Sequence, residues 1–294
     1  MLMTQLPTLG LGISLSLSAQ PDPVTIIKNS AISFVEYAGL VDVARVWPDV
    51  KRIQNAGATV LYHPSYINFC GSFANQAHWL RQTAEHIQQV GSAWFAQDCA
   101  YCFWQQEQGY STQLGYFIPP ILNEQSLAQA IVRVKEVQAL VPVVVAIEPP
   151  PMLFVVGDMP LWTFFQRLAE ATDCAILLDM GHLVSYELAS GLNIREHLQA
   201  FAPERVIEVH IAGGRLEQQA DGEMYIDAHE YPILEQTWQM LAKVLPHLPH
   251  LKAVCYECEG MSQEAVLSTL SRLKQTVETY SINAELVAHI RAKS

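Results

Sequence analysis

Short apolar runs alternate with longer amphipathic ones along the chain. The β-rich runs are residues 9–17, 31–37, 59–63, 93–97, 142–148, 174–179, 205–211 and 251–257, eight in all. Between them, apolar residues recur at three- and four-residue spacing over 75–89, 124–139, 161–171, 233–244 and 263–280, the period of a helix with one buried face. The link 18–30 is short and contains prolines, so it predicts at most a small helix. Residues 281–294, after Tyr280, predict one extra helix packed on the outside.

Eight strand-then-helix units predict an α/β fold, a parallel (β/α)8 TIM barrel. Such a barrel needs about 250 residues, so the 294 residues suit a single barrel domain over 1–294. An open doubly wound sheet would carry a glycine-rich phosphate turn after its first strand, and none is present. No internal repeat, low-complexity tract or linker interrupts the pattern.

Composition narrows the function classes. Half the residues are hydrophobic and 16% are charged, enough for a large core and unlike a disordered chain. The net charge of −12, with no cluster of Lys and Arg, argues against nucleic acid and against an anionic membrane surface as partners. The excess of carboxylates is compatible with bound cations. The apolar stretch 9–17 lacks the basic region of a signal peptide, since the first Lys or Arg is Lys28, and the alternation LGISLSLS suits a strand. No apolar run approaches the roughly 20 residues of a membrane span, and a cytoplasmic location is expected. The six cysteines stand at 70, 99, 102, 174, 255 and 258. Two C-x-x-C pairs occur, Cys99/Cys102 and Cys255/Cys258, but they lie much farther apart than the roughly 15–20 residues of a zinc ribbon.

Position gives the chemistry. Barrel enzymes place their reacting groups at the C-terminal ends of the strands. Here those ends read LYHPS with His63, then Asp98 and Cys99, then VVVAIEPPP with Glu148, ILLDMGH with Asp179 and His182, VIEVHIAGG with His210, and AVCYECEG with Glu257. A loop after the seventh strand carries YIDAHE, with Asp227 and His229 facing one way if it is extended. A strand-end carboxylate taken singly is as often a helix cap or an ion-pair partner. Recurrence at six strand ends points to a metal centre, because imidazole and carboxylate together suit zinc, manganese and iron(II). Converging carboxylates also repel unless protonated or offset by cations. Glu36 and Glu208 are read as structural groups beside the mouth. His78, His86, His197, His247, His250 and His289 are read as surface or packing residues. No strand-end Lys supports Schiff-base chemistry, and neither a G-x-S-x-G elbow nor a Walker loop occurs. Gly213, Gly214 and Arg215 are read as a tight turn ahead of an anion site.

The run VHIAGG, followed by IDAH and a last strand ending in Glu, resembles the multinuclear non-haem iron-dependent oxidative enzymes, barrels of the xylose-isomerase-like superfamily. The order His63, Glu148, Asp179, His182, His210, Asp227, His229, Glu257 follows that family's ligand order along almost the whole barrel. The resemblance implies two or three iron ions, use of dioxygen, and oxidative modification at a cysteine or other residue of a ribosomally made peptide, or of a related small thiol. It also implies a small partner protein that presents the peptide. Those eight residues would be metal ligands, with Glu148, Asp179 and Glu257 as catalytic carboxylates. Two departures stand out. Asp98-Cys99 occupies a place where the family usually has an acidic residue followed by His, so Cys99 is taken as a ligand through its thiolate. Pro149 follows Glu148 where an Asn is common. The alternatives are a divalent-metal sugar isomerase or epimerase using manganese or zinc, with Glu148 and Glu257 as acid–base groups, and a non-catalytic metal-binding scaffold.

Overall fold

The computed structural model describes residues 3–15, 20–38, 43–105, 111–219 and 222–293. Strands and helices alternate as β1 (Gly10–Leu15), α1 (Pro23–Asn29), β2 (Ile32–Ala38), α2 (Val43–Asn55), β3 (Thr59–His63), α3 (Ala77–Val90) and β4 (Trp94–Asp98). Then come β5 (Tyr101–Gln105), β6 (Ser111–Ile118), α4 (Glu124–Gln138), β7 (Val144–Glu148), α5 (Leu161–Thr172), β8 (Ala175–Asp179) and α6 (Met180–Ser190). The chain continues through β9 (Val206–Ala212), β10 (Gly214–Gln219), β11 (Gly222–Asp227), α7 (Glu235–Val244), β12 (Ala253–Glu257), α8 (Gln263–Tyr280) and α9 (Ala284–Ala292). Eight of the strands close a parallel barrel in the order β1-β2-β3-β4-β7-β8-β9-β12 and back to β1. These are the eight runs expected from the sequence, except that residues 16 and 17 of the first lie outside the described residues.

The other four strands among the described residues form two antiparallel hairpins: β5–β6, where the sequence pattern assigns no element, and β10–β11, where it predicts a loop. β10 is polar and largely exposed, so it lacks the apolar alternation that marks a strand half buried on a core. α2 is unexpected for a different reason: Pro48 lies inside it, and an internal proline ordinarily argues against a helix. α3 starts at Ala77, not at 75, because the Asn75 side chain is occupied with the backbone N–H and carbonyl of Asn68, both at 2.9 Å. Some of the helices are capped by side chains: Asn123 accepts from the Ser126 N–H ahead of α4, and Ser262 from the Ala265 N–H ahead of α8. Asn283 caps α9 and also donates to the carbonyls of Pro249 and Leu251, tying that helix to the start of β12.

Both faces of the barrel strands are buried. The outward residues pack with the helices in one large apolar cluster, and a smaller cluster fills the barrel, including Phe34, Leu61, Trp94, Ala96, Ala146 and Leu177. Successive inward positions are two residues apart. One step beyond this apolar floor, toward the C-terminal ends of the strands, the inward residues become Ser14, Glu36, His63, Asp98, Glu148, Asp179, His210 and Glu257. Each barrel strand contributes one, and all are buried except Glu257, which is partly exposed. Among the described residues no helix is long and apolar enough to cross a membrane.

Candidate metal centre

Four triads of ligand atoms, each with its members within 4.8 Å of one another, surround the barrel axis: Glu36/His63/His210, His63/Asp98/Glu148, Glu148/Asp179/His182 and Asp179/His210/Glu257. Neighbouring triads share His63, Glu148, Asp179 and His210 in turn, so the four close into a ring. Shared carboxylates are how adjacent cations are bridged. The donors are nitrogen and oxygen throughout, a set suited to iron(II), manganese or zinc.

The close pairs fix the ring. His210 Nε2 lies 2.8 Å from Glu36 Oε2, and His63 Nδ1 lies 3.0 Å from Glu36 Oε1. His63 Nε2 faces Glu148 at 3.6 Å and Asp98 at 3.9 Å. His210 Nδ1 is 3.5 Å from Glu257. Several of these atoms are buried and near one another without hydrogen-bond geometry: Glu36 Oε2, His63 Nδ1, Asp98 Oδ1, Asp179 Oδ2, Asp227 Oδ1 and both ring nitrogens of His210. Buried polar atoms left unsatisfied cost free energy, and cations at the ring would satisfy these. The residues present therefore fit a metal cluster.

Three ligand candidates, His182, Asp227 and His229, come from outside the barrel strands. His182 sits in the first turn of α6. Its Nδ1 is 2.9 Å from the Pro149 carbonyl and 3.1 Å from Glu148, which leaves Nε2 facing Asp227 and Asp179 at 3.6 and 3.9 Å. The carbonyl that orients His182 is thus supplied by the proline at the position where the resemblance implies Asn. Asp179 caps the same helix: its Oδ1 accepts from the His182 N–H at 2.7 Å while Oδ2 is left without a partner. Capping uses one oxygen of Asp179 and leaves the other available to an ion.

The β10–β11 hairpin delivers the remaining pair. Tyr225 is wedged between α6 and the hairpin's own first residue, and a Cβ at Gly181 or Gly214 would overlap its hydroxyl. The glycines in MGH and AGG are what allow the hairpin to lie this close. Asp227, the last residue of β11, then reaches the ring's rim, with His229 Nε2 3.3 Å from its Oδ2 and 3.7 Å from Glu257. Arg215 points elsewhere, pairing with Glu217 beside the Tyr231 ring.

Electrostatics follow from burial and like-charge crowding. Burial first, then Asp98, raises the Glu148 carboxyl to about 8, and burial with help from Glu257 raises Asp179 to about 6. Burial acts against the charged imidazoles, but Glu36 overrides it at His63 and His210, Asp179 at His182, and Glu257 at His229, holding all four well above the usual range. At Glu257 burial is outweighed by His229 and His210, which bring it down to about 2. The raised groups favour bound protons in the metal-free protein, which cations would have to displace.

Cys99 requires a correction. The resemblance makes it a ligand, but the pleat of β4 directs Trp94, Ala96 and Asp98 inward and ends with Asp98 on the ring. The Cys99 Sγ lies in the outer core, 3.7 Å from the Phe69 carbonyl. Asp98 takes the position assigned to it. Glu36, read as structural, is a member of the first triad, whereas Glu208 accepts from Trp94 Nε1 at 2.6 Å beneath the ring. All six cysteines are free and buried. Nothing in the sequence pattern points to Glu259, which lies past the end of β12 and holds His229 Nδ1 at 2.7 Å.

Comparison with known proteins agrees with this architecture. The D-psicose 3-epimerase of Clostridium cellulolyticum H10 superposes with a TM-score of 0.53 at 10% identity, covering 97% of this chain and 96% of that one. Endonuclease IV of Thermus thermophilus does so with a TM-score of 0.55 at 14% identity, covering 92% and 99%. Likeness at this level establishes the TIM-barrel fold. In sequence, a UPF0276 protein of Vibrio vulnificus (strain YJ016) is 30% identical over 79 residues, 27% of each chain. A UPF0276 protein of Vibrio parahaemolyticus is 27% identical over 125 residues, 42% of this chain and 43% of the relative. These matches span between about a quarter and under half of the relatives' length. A family model covers far more: residues 24–278 match that of the RiPP precursor modification enzyme MbnB/TglH/ChrH, and the chain belongs to that family of enzymes acting on ribosomally made precursor peptides.

Proposed function

We propose that this protein is an iron-dependent oxidative enzyme that holds two or three iron ions and uses dioxygen to modify a cysteine or another residue of a precursor peptide. The observation that carries the reading is the ring of four overlapping nitrogen and oxygen triads in a member of a peptide-modifying family. In this reading Glu36, His63, Asp98, Glu148, Asp179, His182, His210, Asp227, His229 and Glu257 hold the ions. When bound, iron(II) would supply one-electron chemistry toward dioxygen and a site for a substrate thiolate. The chain's own groups divide the remaining work. Asp227, His229 and Glu257 are the more exposed part of the cluster and face incoming substrate. In the metal-free protein burial and Asp98 raise the Glu148 carboxyl to about 8, so in this reading it would release a proton on taking up an ion near neutral pH. The apolar floor below the ring excludes water from the barrel interior.

A small presenting partner belongs to the same reading: Ile121, Leu153, Phe154 and Val156, on the connections before α4 and α5, stay exposed. Six unbridged cysteines suit a reducing compartment such as the cytoplasm. The sugar isomerase or epimerase alternative rests on likeness of fold alone.

The test is to load the protein with iron(II) without oxygen, add a synthetic cysteine-containing peptide and then admit oxygen. Oxygen uptake with a mass change on the peptide supports the proposal. Conversion of D-fructose by the manganese-loaded protein, with no oxygen uptake on peptide, would replace it with the isomerase reading.

A further inference from the structure

Ser14 occupies the place of β1 in the ring of inward residues, the one member there that is neither a histidine nor a carboxylate. Its hydroxyl donates to Glu259 Oε1 at 2.6 Å, and the other oxygen of that carboxylate receives His229 Nδ1 at 2.7 Å. A carboxylate only accepts, so Nδ1 is committed as a donor to Glu259, and Nε2, which faces Asp227 and Glu257, is the nitrogen that an ion would take once its proton leaves. The same turn is drawn onto β1 by Cys258, whose thiol faces the Ser14 carbonyl at 3.8 Å.

A contrast among the four imidazoles gives this contact meaning. His63 and His210 are set by strands, and their Nδ1 atoms have no hydrogen-bond partner. His182 and His229 lie beyond the strands, and each has a dedicated acceptor at Nδ1: the Pro149 carbonyl for one, Glu259 for the other. His229 sits in a turn after β11, where nothing in the backbone pattern fixes its ring. Histidine ligands commonly donate their second N–H to such an acceptor, which sets tautomer and direction.

We propose that Ser14 and Glu259 form a positioning relay that orients His229 toward Asp227 and Glu257 and so builds the outermost cation position, the one closest to incoming substrate. Glu259 is a positioning residue here, not a ligand. The inference rests on the metal reading above.

The test is anaerobic titration of metal-free wild type, Glu259→Ala, Glu259→Gln and Ser14→Ala with iron(II) against a chromophoric chelator, with metal-free melting temperatures measured alongside. Glu259→Ala should weaken the most loosely held ion by about 10- to 100-fold and leave the tighter ones in place. Glu259→Gln, whose amide oxygen still accepts from Nδ1, should recover most of that loss, and Ser14→Ala should lose a few-fold. Metal-free melting should change little in all three. Wild-type affinity and stoichiometry in Glu259→Ala would overturn the relay. So would a loss that Glu259→Gln shares in full and that follows a lowered metal-free melting temperature, the mark of a strut between β1 and β12. A wild type that binds no iron at all would overturn the metal reading, and the relay with it.

Discussion

The barrel interior holds two layers on the same strands, one inward step apart, nearly equal in burial and opposite in chemistry. Leu61 lies under His63, Ala96 under Asp98, Ala146 under Glu148 and Leu177 under Asp179, and none of the eight is more than 6% exposed. Burial alone therefore does not separate structure from function here. The lower layer gains from leaving water, at roughly 25 cal/mol per Å² of apolar surface. The upper layer loses by it, since each buried charge costs several kcal/mol unless paired. Such a layer is retained for what it binds.

Mutations divide the layers most sharply. Asp179→Ala or His210→Ala removes a residue shared by two triads and should abolish most metal binding while leaving the metal-free fold largely intact, read by elemental analysis and melting. Leu177→Ala in the floor should do the reverse, costing about 2–5 kcal/mol of stability with the metal-to-protein ratio unchanged.

Acidity separates the layers next, because the titrating groups lie in the upper one, apart from Glu208 beneath His210, whose carboxyl burial also raises. In the metal-free protein the folded state holds Glu148 to about 8 and Asp179 to about 6, both above their ordinary values, so it binds more protons than the unfolded chain in that interval. The raised imidazoles act in the same direction, their contribution being full below their ordinary value and lost as pH climbs. Metal-free stability should therefore fall from pH 6 to pH 8. Metal affinity should rise over the same interval, since ions need the ligands deprotonated. Melting curves at both pH values, with and without iron(II), should diverge.

The smallest effect is expected at Cys99, which belongs to neither layer. Cys99→Ala should leave metal content unchanged, whereas Cys99→His should destabilise by overpacking, about 1–3 kcal/mol, without adding an ion. A rise in metal content on introducing His would place position 99 in the ring after all.

The fold is legible in the sequence because barrel strands are short, apolar and separated by helices of clear period. The strand-end ligands are legible because a charged group ending an apolar run is conspicuous. What escapes is facing. With both faces of a parallel strand buried, neither polarity nor burial marks the inward side, so Glu36 within SFVEY looks peripheral. Counting by twos along β4 from Trp94 favours Asp98, but the family pattern draws attention to Cys99. Glu259 is invisible for another reason: it acts on a turn residue 30 positions away, a proximity created by the pairing of β12 with β9, whose following hairpin carries His229.

The central claim is that the upper layer is a multinuclear nitrogen and oxygen metal site. Elemental analysis of wild type and Asp179→Ala, both purified without oxygen and without chelator, tests it most directly. The account predicts two or three iron atoms per wild-type chain and a clear drop in the variant. A wild type without metal, or a variant with undiminished content, would contradict it.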